Sequence, residues 1–430
     1  MKEAYLDYAA TAPVKKEVLA AMLPYLQDKF GNPSSIHSWG QEARAAVDRS
    51  RRQVADFLNC NQSEIIFTSG GTEADNLAII GIMRSFGASF ALGHPSHPSP
   101  SLRSGHRRFA QDTPLASKFI PHIITSQIEH HAVLRTCQYL EKEKLATVTY
   151  LEPNAEGIIE IEKVRKAIKE STVLVSIMYI NNEVGTIQPI REIGKILEKE
   201  NHKRSAASGQ RIYFHTDAVQ AAGYQKMDVK YLHVDLLTLS GHKIGAPKGI
   251  GALFMKEKTP LGKIIFGGEQ EMNFRSGTEN VPGIVALGKA VQVLRNKKLE
   301  IRVKRAKMLS DYFIKRVLKE IPEVALNGSI ELRSPNNANF YFRYIEGESI
   351  LLNLDLAGIA ASSGSACTSL SLEPSHVLMA IYGEPERAHG SVRFTLGEKT
   401  TTKEIDYTIR NLKLIVQKLR KISPLTKKEK

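Results

Sequence analysis

The chain has 430 residues, 42% of them hydrophobic and 24% charged, with a formal net charge of +14. These are the totals of an ordinary soluble protein long enough for more than one domain. They exclude a membrane-spanning class, because no apolar run approaches the ~20 residues that cross a bilayer.

The start, "MKEAYLDYAA", lacks the basic and apolar regions of a signal peptide. Three widely spaced cysteines, Cys60, Cys137 and Cys367, form neither a disulfide framework nor a zinc pattern. Together these features predict a cytoplasmic protein in a reducing compartment. The positive charge could favour nucleic acid, but much of it lies on the helix-like "EIRVKRAKMLSDYFIKRVLKE" and the tail "LTKKEK". These read as solvated faces, and no nucleic-acid motif accompanies them. A basic RNA-binding or scaffold protein therefore rests on charge alone, and direct nucleic-acid binding is not expected.

In chain order, strand-like and helix-like segments alternate. "EIIFTS" leads into "TEADNLAIIGIM", "PHIITS" into "EHHAVLRTCQYLEKE", and "TVLVSIMYI" into "QPIREIGKILEKE", where Pro189 suits a first helical turn. "RIYFHTD", "VDLLTLS" and "GIGALFM" add further β-like runs. The alternation predicts an α/β domain with a mostly parallel central sheet, whose ligands gather at the carboxyl ends of the strands. Residues 87–118 interrupt it with a Ser-, Pro-, His- and Arg-rich stretch that reads as a flexible insertion; His94 and His97 lack companion ligands there. One long helical pattern runs from residue 281 through Glu320. Then "NANFYFRY", "EGESILLNLDL", "GSVRFTL" and "KEIDYTIRNLKLIVQKLRK" suggest a smaller α+β domain. The expected division is a large domain over 15–296 and a small one built from 1–14 and 297–430.

The chemistry-bearing residues cluster after the β-like runs. In "LTLSGHKIGAPKGIGALF", Lys243 follows an apolar run and is flanked by Ser240, Gly241 and His242. Small neighbours allow close backbone approach. A lysine so placed suits a phosphorylated aldehyde cofactor, and pyridoxal 5'-phosphate (PLP) meets that description, binding lysine as a Schiff base. Such a cofactor needs an acid for its ring nitrogen, and "YFHTDAVQ" supplies Asp217. Alone, Asp217 would read as a helix cap; its pairing with Lys243 reverses that. Gln220 can hydrogen-bond the ring hydroxyl. "FTSGGTEADN" runs from strand to helix start through two glycines, a phosphate cradle in which Gly71 gives backbone and Thr72 a hydroxyl. His130 in "IEHHAV" opens the next helix, and its ring could stack on the cofactor.

Taken together, "LDYAATAP", "FGNPSS", "FTSGGTEADNLA", "NNEVGTIQPI", "HTDAVQAAG", "SGHKIGAPKGIGAL", "RSGTENVPGIVALG" and "SSGSACTS" resemble the cysteine desulfurases. These are fold-type-I PLP enzymes of the class V aminotransferase family, and the resemblance covers nearly the whole chain in order. It implies that Lys243 is the Schiff-base lysine, Asp217 the pyridinium partner and His130 the stacking imidazole. Gln220 would meet the ring hydroxyl, and Asn181 would lie near cofactor and substrate carboxylate. Thr72, Ser240 and His242 would hold the phosphate, with Thr278 reaching across from a second identical subunit. Arg393 in "SVRFTLG" would grip the substrate carboxylate, a task suited to a guanidinium fork.

In the same way Cys367 would be the nucleophile, within a mobile catalytic loop over 362–373. It would take the sulfur of L-cysteine as a persulfide, leave L-alanine, and pass the sulfur to an iron–sulfur scaffold or a tRNA-thiolation carrier. No resident metal is implied; Cys367 alone could touch an iron–sulfur cluster transiently. Selenocysteine lyase shares the scaffold and is the alternative enzyme. The family usually closes the connection at 87–118 with a short link, and some scaffold-feeding relatives carry a longer tail than the one after "LRKISPL".

Overall fold

The computed structural model describes residues 4–86, 119–207, 210–363 and 373–424. Cys367, most of the 362–373 loop and the 87–118 stretch lie outside these residues. The strand β1 (Ala4–Tyr5) comes first in the chain. β2 (Ile65–Thr68), β3 (His122–Ser126), β4 (Thr147–Leu151), β5 (Thr172–Ser176), β6 (Tyr213–Asp217), β7 (Leu236–Ser240) and β8 (Gly251–Met255) then form one seven-stranded sheet. Its order is β2-β8-β7-β6-β5-β3-β4, parallel from β4 to β7, with β8 antiparallel to both its neighbours. The central strands "HIITS", "TVLVS" and "LLTLS" are buried along their whole length. That is what a parallel sheet covered on both faces requires, and it explains why they read as continuous apolar runs.

Two helices, Ser38–Leu58 and Val281–Asn296, cover one face. Val47, Val54, Leu287 and Val291 pack there with Phe67 and Phe214. On the other face Leu77 and Ile82 from the helix Gly71–Ser85, and Val133 from His131–Lys142, meet Ile66, Ile123 and Leu253. Each such buried side chain stabilises the fold by about 1.5–3 kcal/mol before entropy is counted. The sandwich leaves the carboxyl ends of β6 and β7, and the starts of the Gly71 and His131 helices, as the polar rim.

A second core lies around β9 (Val324–Leu326), β10 (Asn337–Phe342) and β12 (Ser391–Thr395), an antiparallel sheet ordered β12-β10-β9. Phe313 stands edge-on to Phe340 at 5.6 Å and to Phe394 at 5.2 Å, arrangements that satisfy the ring quadrupoles. The helix Thr402–Ile422 closes this core with Ile405, Ile409 and Leu412, and a Thr401–Glu404 capping box starts it.

The single long helix expected from 281 to Glu320 is instead two, Val281–Asn296 and Leu299–Glu320, separated by an extended Lys297 (φ −94°, ψ 112°). The physical reason is that the two halves bury their apolar stripes in different cores. Leu287 and Val291 face the large sheet, and Phe313 and Val317 the small one. The polar "NKK" between them has no apolar residue to continue either stripe.

The start of the chain ties the cores together. β1 pairs in parallel with β11 (Ile359–Ala360), and Thr395 donates its amide to the Leu6 carbonyl at 2.7 Å. Residues beyond it then reach the loop after β7: Ala12 donates to the His242 carbonyl at 2.8 Å and Lys15 to that of Gly245 at 3.0 Å. Among the described residues, no helix is long and apolar enough to cross a membrane.

Candidate active site

β7 ends at Ser240, and the 3-10 turn Gly241–Lys243 follows at once. The turn is tight: a Cβ on Gly241 would lie 2.8 Å from the Ile250 side chain, so glycine is required. This directs the Lys243 amine back toward the chain start, where Nζ donates to the carbonyls of Ala9 and, at 2.8 Å, Ala10. Gln220 Nε2 donates to the same Ala9 carbonyl at 3.0 Å. His242 lies beside Thr11, with Nδ1 3.3 Å from its hydroxyl, and burial followed by the Lys243 charge pushes its imidazole down to about 4.

Asp217 closes β6 and is buried, its Oδ1 accepting the Val219 amide at 2.9 Å. Burial raises this carboxyl to about 6, against the Val219 amide and the Lys243 charge, which favour the anion. Polar atoms of Asp75, His130 and Asp217 all lie within 4.8 Å of one another. Among these groups the Asp217 carboxylate is the one suited to a protonated aromatic nitrogen, since the Val219 amide and the Lys243 charge favour its anion. His130 caps the helix His131–Lys142, its Nδ1 accepting the Ala132 amide at 3.1 Å. A neutral ring with Nδ1 as acceptor carries its proton on Nε2. Burial, then Lys243, pushes this imidazole down to about 4, so the ring is neutral at pH 7.

The helix Gly71–Ser85 opens beside these groups. A Cβ on Gly71 would stand 2.9 Å from Val219 Cγ2 and 3.6 Å from Ser240 Cβ, which puts the helix start against the ends of β6 and β7. Free N–H groups of a first turn favour an anion. Thr72 is exposed on that turn and Ser240 is buried across from it. Glu73 in the same turn would repel a phosphate, but Arg275 Nε holds it at 2.9 Å and the Ser69 amide at 3.0 Å. A primary amine, a buried carboxyl, a neutral imidazole and a hydroxyl-lined helix start thus fit, group by group, the aldehyde, ring nitrogen, ring face and phosphate of PLP.

Two expected residues stand apart. Thr278 is exposed on the loop before Val281–Asn296, and among the described residues it makes no hydrogen bond to this group. Asn181 is buried, with its side chain committed to backbone. Oδ1 accepts the amides of Glu183 and Val184, both at 2.9 Å, and Nδ2 donates to the Ile128 carbonyl at 2.9 Å. It pins the "NNEVG" turn to the segment leading into His130. Arg393 on β12 is 2% exposed; Nη1 donates to the Asn182 carbonyl at 2.8 Å and Nη2 to Asp7 Oδ1 at 2.9 Å.

Several site residues carry no assigned role in the sequence reading. Asp75 stands three positions after Thr72, a spacing that places both on one helix face, so "GGTEADN" contains its signal. The Ala9 and Ala10 carbonyls and Asp7 lie in "LDYAATAP", and only the long-range β1–β11 pairing delivers them. Of the cysteines, the Cys60 thiol is pushed up to about 12 by burial, and Cys137 is raised further by the same cause.

The sequence model of the Aminotransferase class-V family matches residues 4–93 and 116–408. The unmatched 94–115 fall inside the 87–118 stretch. The chain is 47% identical over 423 residues to the cysteine desulfurase IscS of Dictyoglomus turgidum, covering 98% of this chain and 97% of that protein. Among solved structures, a NifS-like protein superposes with a TM-score of 0.83 at 31% identity, over 97% of this chain and 100% of its own. A structure of SspA in complex with cysteine gives 0.73 at 33% identity, over 91% and 98%. The chain belongs to the Aminotransferase class-V family and, within it, to the cysteine desulfurases, with the α/β architecture of fold-type-I PLP-dependent transferases.

Proposed function

We propose that this protein converts L-cysteine to L-alanine with PLP and leaves the sulfur as a persulfide on Cys367. The observation that carries the reading is the closeness of Asp217 and His130, with the Lys243 charge acting on both, at one rim of the sheet beside a helix start, in a chain of this family. Bound there, PLP would supply an electron sink for the substrate's Cα.

The chain's own residues do the rest. Lys243 would offer its amine to the aldehyde and Asp217 its carboxylate to the ring nitrogen. Neutral His130, with its proton on Nε2, would stack on the ring, and Gln220 would meet the ring hydroxyl. Gly71, Thr72, Ser240 and His242 would hold the phosphate. Arg393 takes the substrate carboxylate, near Asn181 and the Asn182 carbonyl. In the sulfur step the Cys367 thiolate attacks the substrate sulfur; the substrate Cβ–S bond breaks and an S–S bond forms. Of the two thiol protons, one ends on the alanine methyl group and one on the persulfide, so no outside oxidant is required. Cys60 and Cys137, whose thiols burial keeps protonated, are not competing nucleophiles.

The sulfur then passes to an acceptor protein, an iron–sulfur scaffold or a tRNA-thiolation carrier, in the cytoplasm. A second subunit would supply Thr278 to the phosphate. An apolar stretch near the chain start supports such a dimer: Leu23, Leu26, Phe30, Ile36 and Trp39 are all exposed, and the Phe30 and Trp39 rings meet at 4.9 Å. The test is alanine release from L-cysteine by the PLP-loaded protein. Lys243→Ala should abolish it, and undiminished alanine from that variant would overturn the proposal.

A further inference from the structure

Asp75 has no part in the chemistry above, yet it lies at the centre of the site. It is 1% exposed, its Oδ1 has no hydrogen-bond partner, and its carboxyl lies within 4.8 Å of polar atoms of both Asp217 and His130. We propose that Asp75 is a positioning residue that stays protonated behind Asp217, so that Asp217 alone carries the negative charge the cofactor's ring nitrogen needs. The proposal rests on the PLP reading above.

Two buried carboxyls this close cannot both ionise without a compensating cation. The surroundings decide which one keeps the proton. Asp217 accepts the Val219 amide at 2.9 Å and feels the Lys243 charge, so its anion is supported. Asp75 is raised well above the ordinary carboxyl range, by burial first and by Asp217 next, with Glu129 adding a smaller push in the same direction. The Thr238 hydroxyl acts the other way but carries no charge. His215 stands 3.5 Å from Asp75 Oδ1 and cannot serve as the countercharge. Its nitrogens are engaged by the Ser176 hydroxyl at 2.8 Å and the Thr238 hydroxyl at 3.1 Å, and burial pushes it down to about 3. His130 is neutral for the same reason, and Glu129 is a further buried acid held by Ser126 and the Met178 amide. Asp217 and His215 on β6, Glu129 and His130 after β3, and Lys243 after β7 thus offer one cation, and Asp217 uses it. An ionised Asp75 would be a buried anion with an unpartnered oxygen, the costliest arrangement available.

The test uses full-length, PLP-loaded protein containing carboxyl-labelled aspartate. The infrared spectrum of the wild type minus that of Asp75→Asn should show loss of one protonated-carboxyl band at neutral pH and no loss of carboxylate signal. Asp75→Ala reads the same band should the amide variant fail to fold. Asn mimics the protonated acid, so Asp75→Asn should retain PLP as the wild type does. Asp217→Asn, which removes a charge-assisted bond, should weaken PLP binding roughly 10- to 100-fold. Loss of a carboxylate band in Asp75→Asn, or PLP loss matching that of Asp217→Asn, would overturn the proposal. Wild-type PLP binding by Asp217→Asn would instead contradict the cofactor reading, while the infrared band still reports on Asp75.

Discussion

Arg393 and Asp7 are 386 positions apart in sequence, and their side chains meet at 2.9 Å from Nη2 to Oδ1. With Nη1 on the Asn182 carbonyl, the guanidinium has its orientation set before any substrate arrives. Lysine would keep the charge and lose the planar fork. Arg393→Lys should therefore raise KM for L-cysteine by about tenfold or more, with a smaller change in kcat, as loss of a binding contact does. Asp7→Asn should lower stability by up to about 3–5 kcal/mol, toward the lower end because the Asp7 side chain is 17% exposed. Steady-state kinetics and urea unfolding read the two effects.

Glu271 pins the loop that carries Thr278. Its carboxylate accepts Arg51 Nη1 at 2.8 Å, Arg51 Nη2 at 2.7 Å and the Phe67 amide at 2.8 Å. It also begins three successive residues at positive φ: Glu271 at 47°, Met272 at 56° and Asn273 at 65°. Non-glycine residues hold such a conformation only where the surroundings enforce it. Glu271→Ala leaves Arg51 buried without its partner and should cost about 3–5 kcal/mol, measured by denaturant unfolding. A loss below 1 kcal/mol would show that the loop is held by other contacts.

Glu129 makes stability depend on pH. It is fully buried, and burial raises its carboxyl to about 8 from an ordinary 4.5. The folded state therefore binds this proton more tightly than the unfolded chain does. The stabilisation is complete below pH 4.5 and is lost as pH rises toward 8, at roughly 1.4 kcal/mol per pH unit. Glu129→Gln has no proton to lose, so its melting temperature should gain on the wild type across pH 5–8. Parallel profiles would mean that Glu129 is not protonated in the fold.

The exposed apolar stretch predicts the state of assembly. Light scattering should give twice the chain mass, and Phe30→Asp should shift the protein toward monomer with weaker PLP retention, because the contribution proposed for the partner's Thr278 would then be missing. A wild-type monomer with full PLP occupancy would contradict the shared phosphate site.

Much of this was legible in the sequence, for identifiable reasons. The sheet could be read because its strands are buried on both faces, so that runs such as "TVLVS" stand out as short continuous apolar segments. Lys243, Asp217 and Gly71 could be read because each lies at or within three residues of a strand's carboxyl end, so local order places them. Asp7, Ala9 and Ala10 could not, since their contact with Lys243 and Arg393 depends on a pairing of residue 4 with residue 359. Asp75 was hidden differently: its spacing from Thr72 puts it on the site's side of the helix, but a single carboxylate there also reads as surface, and its burial decides between the two. The break at Lys297 escaped because each half keeps a helical period, and the change of core appears only in three dimensions.

The most direct measurement is the site of sulfur attachment. The PLP-loaded protein is exposed to L-cysteine, digested without reductant and examined by mass spectrometry. The peptide containing Cys367 should gain the mass of one sulfur atom, while those of Cys60 and Cys137 stay unchanged. Cys367→Ser should bind PLP yet release alanine far more slowly. Persulfide on Cys60 or Cys137, or wild-type alanine release by Cys367→Ser, would contradict the account.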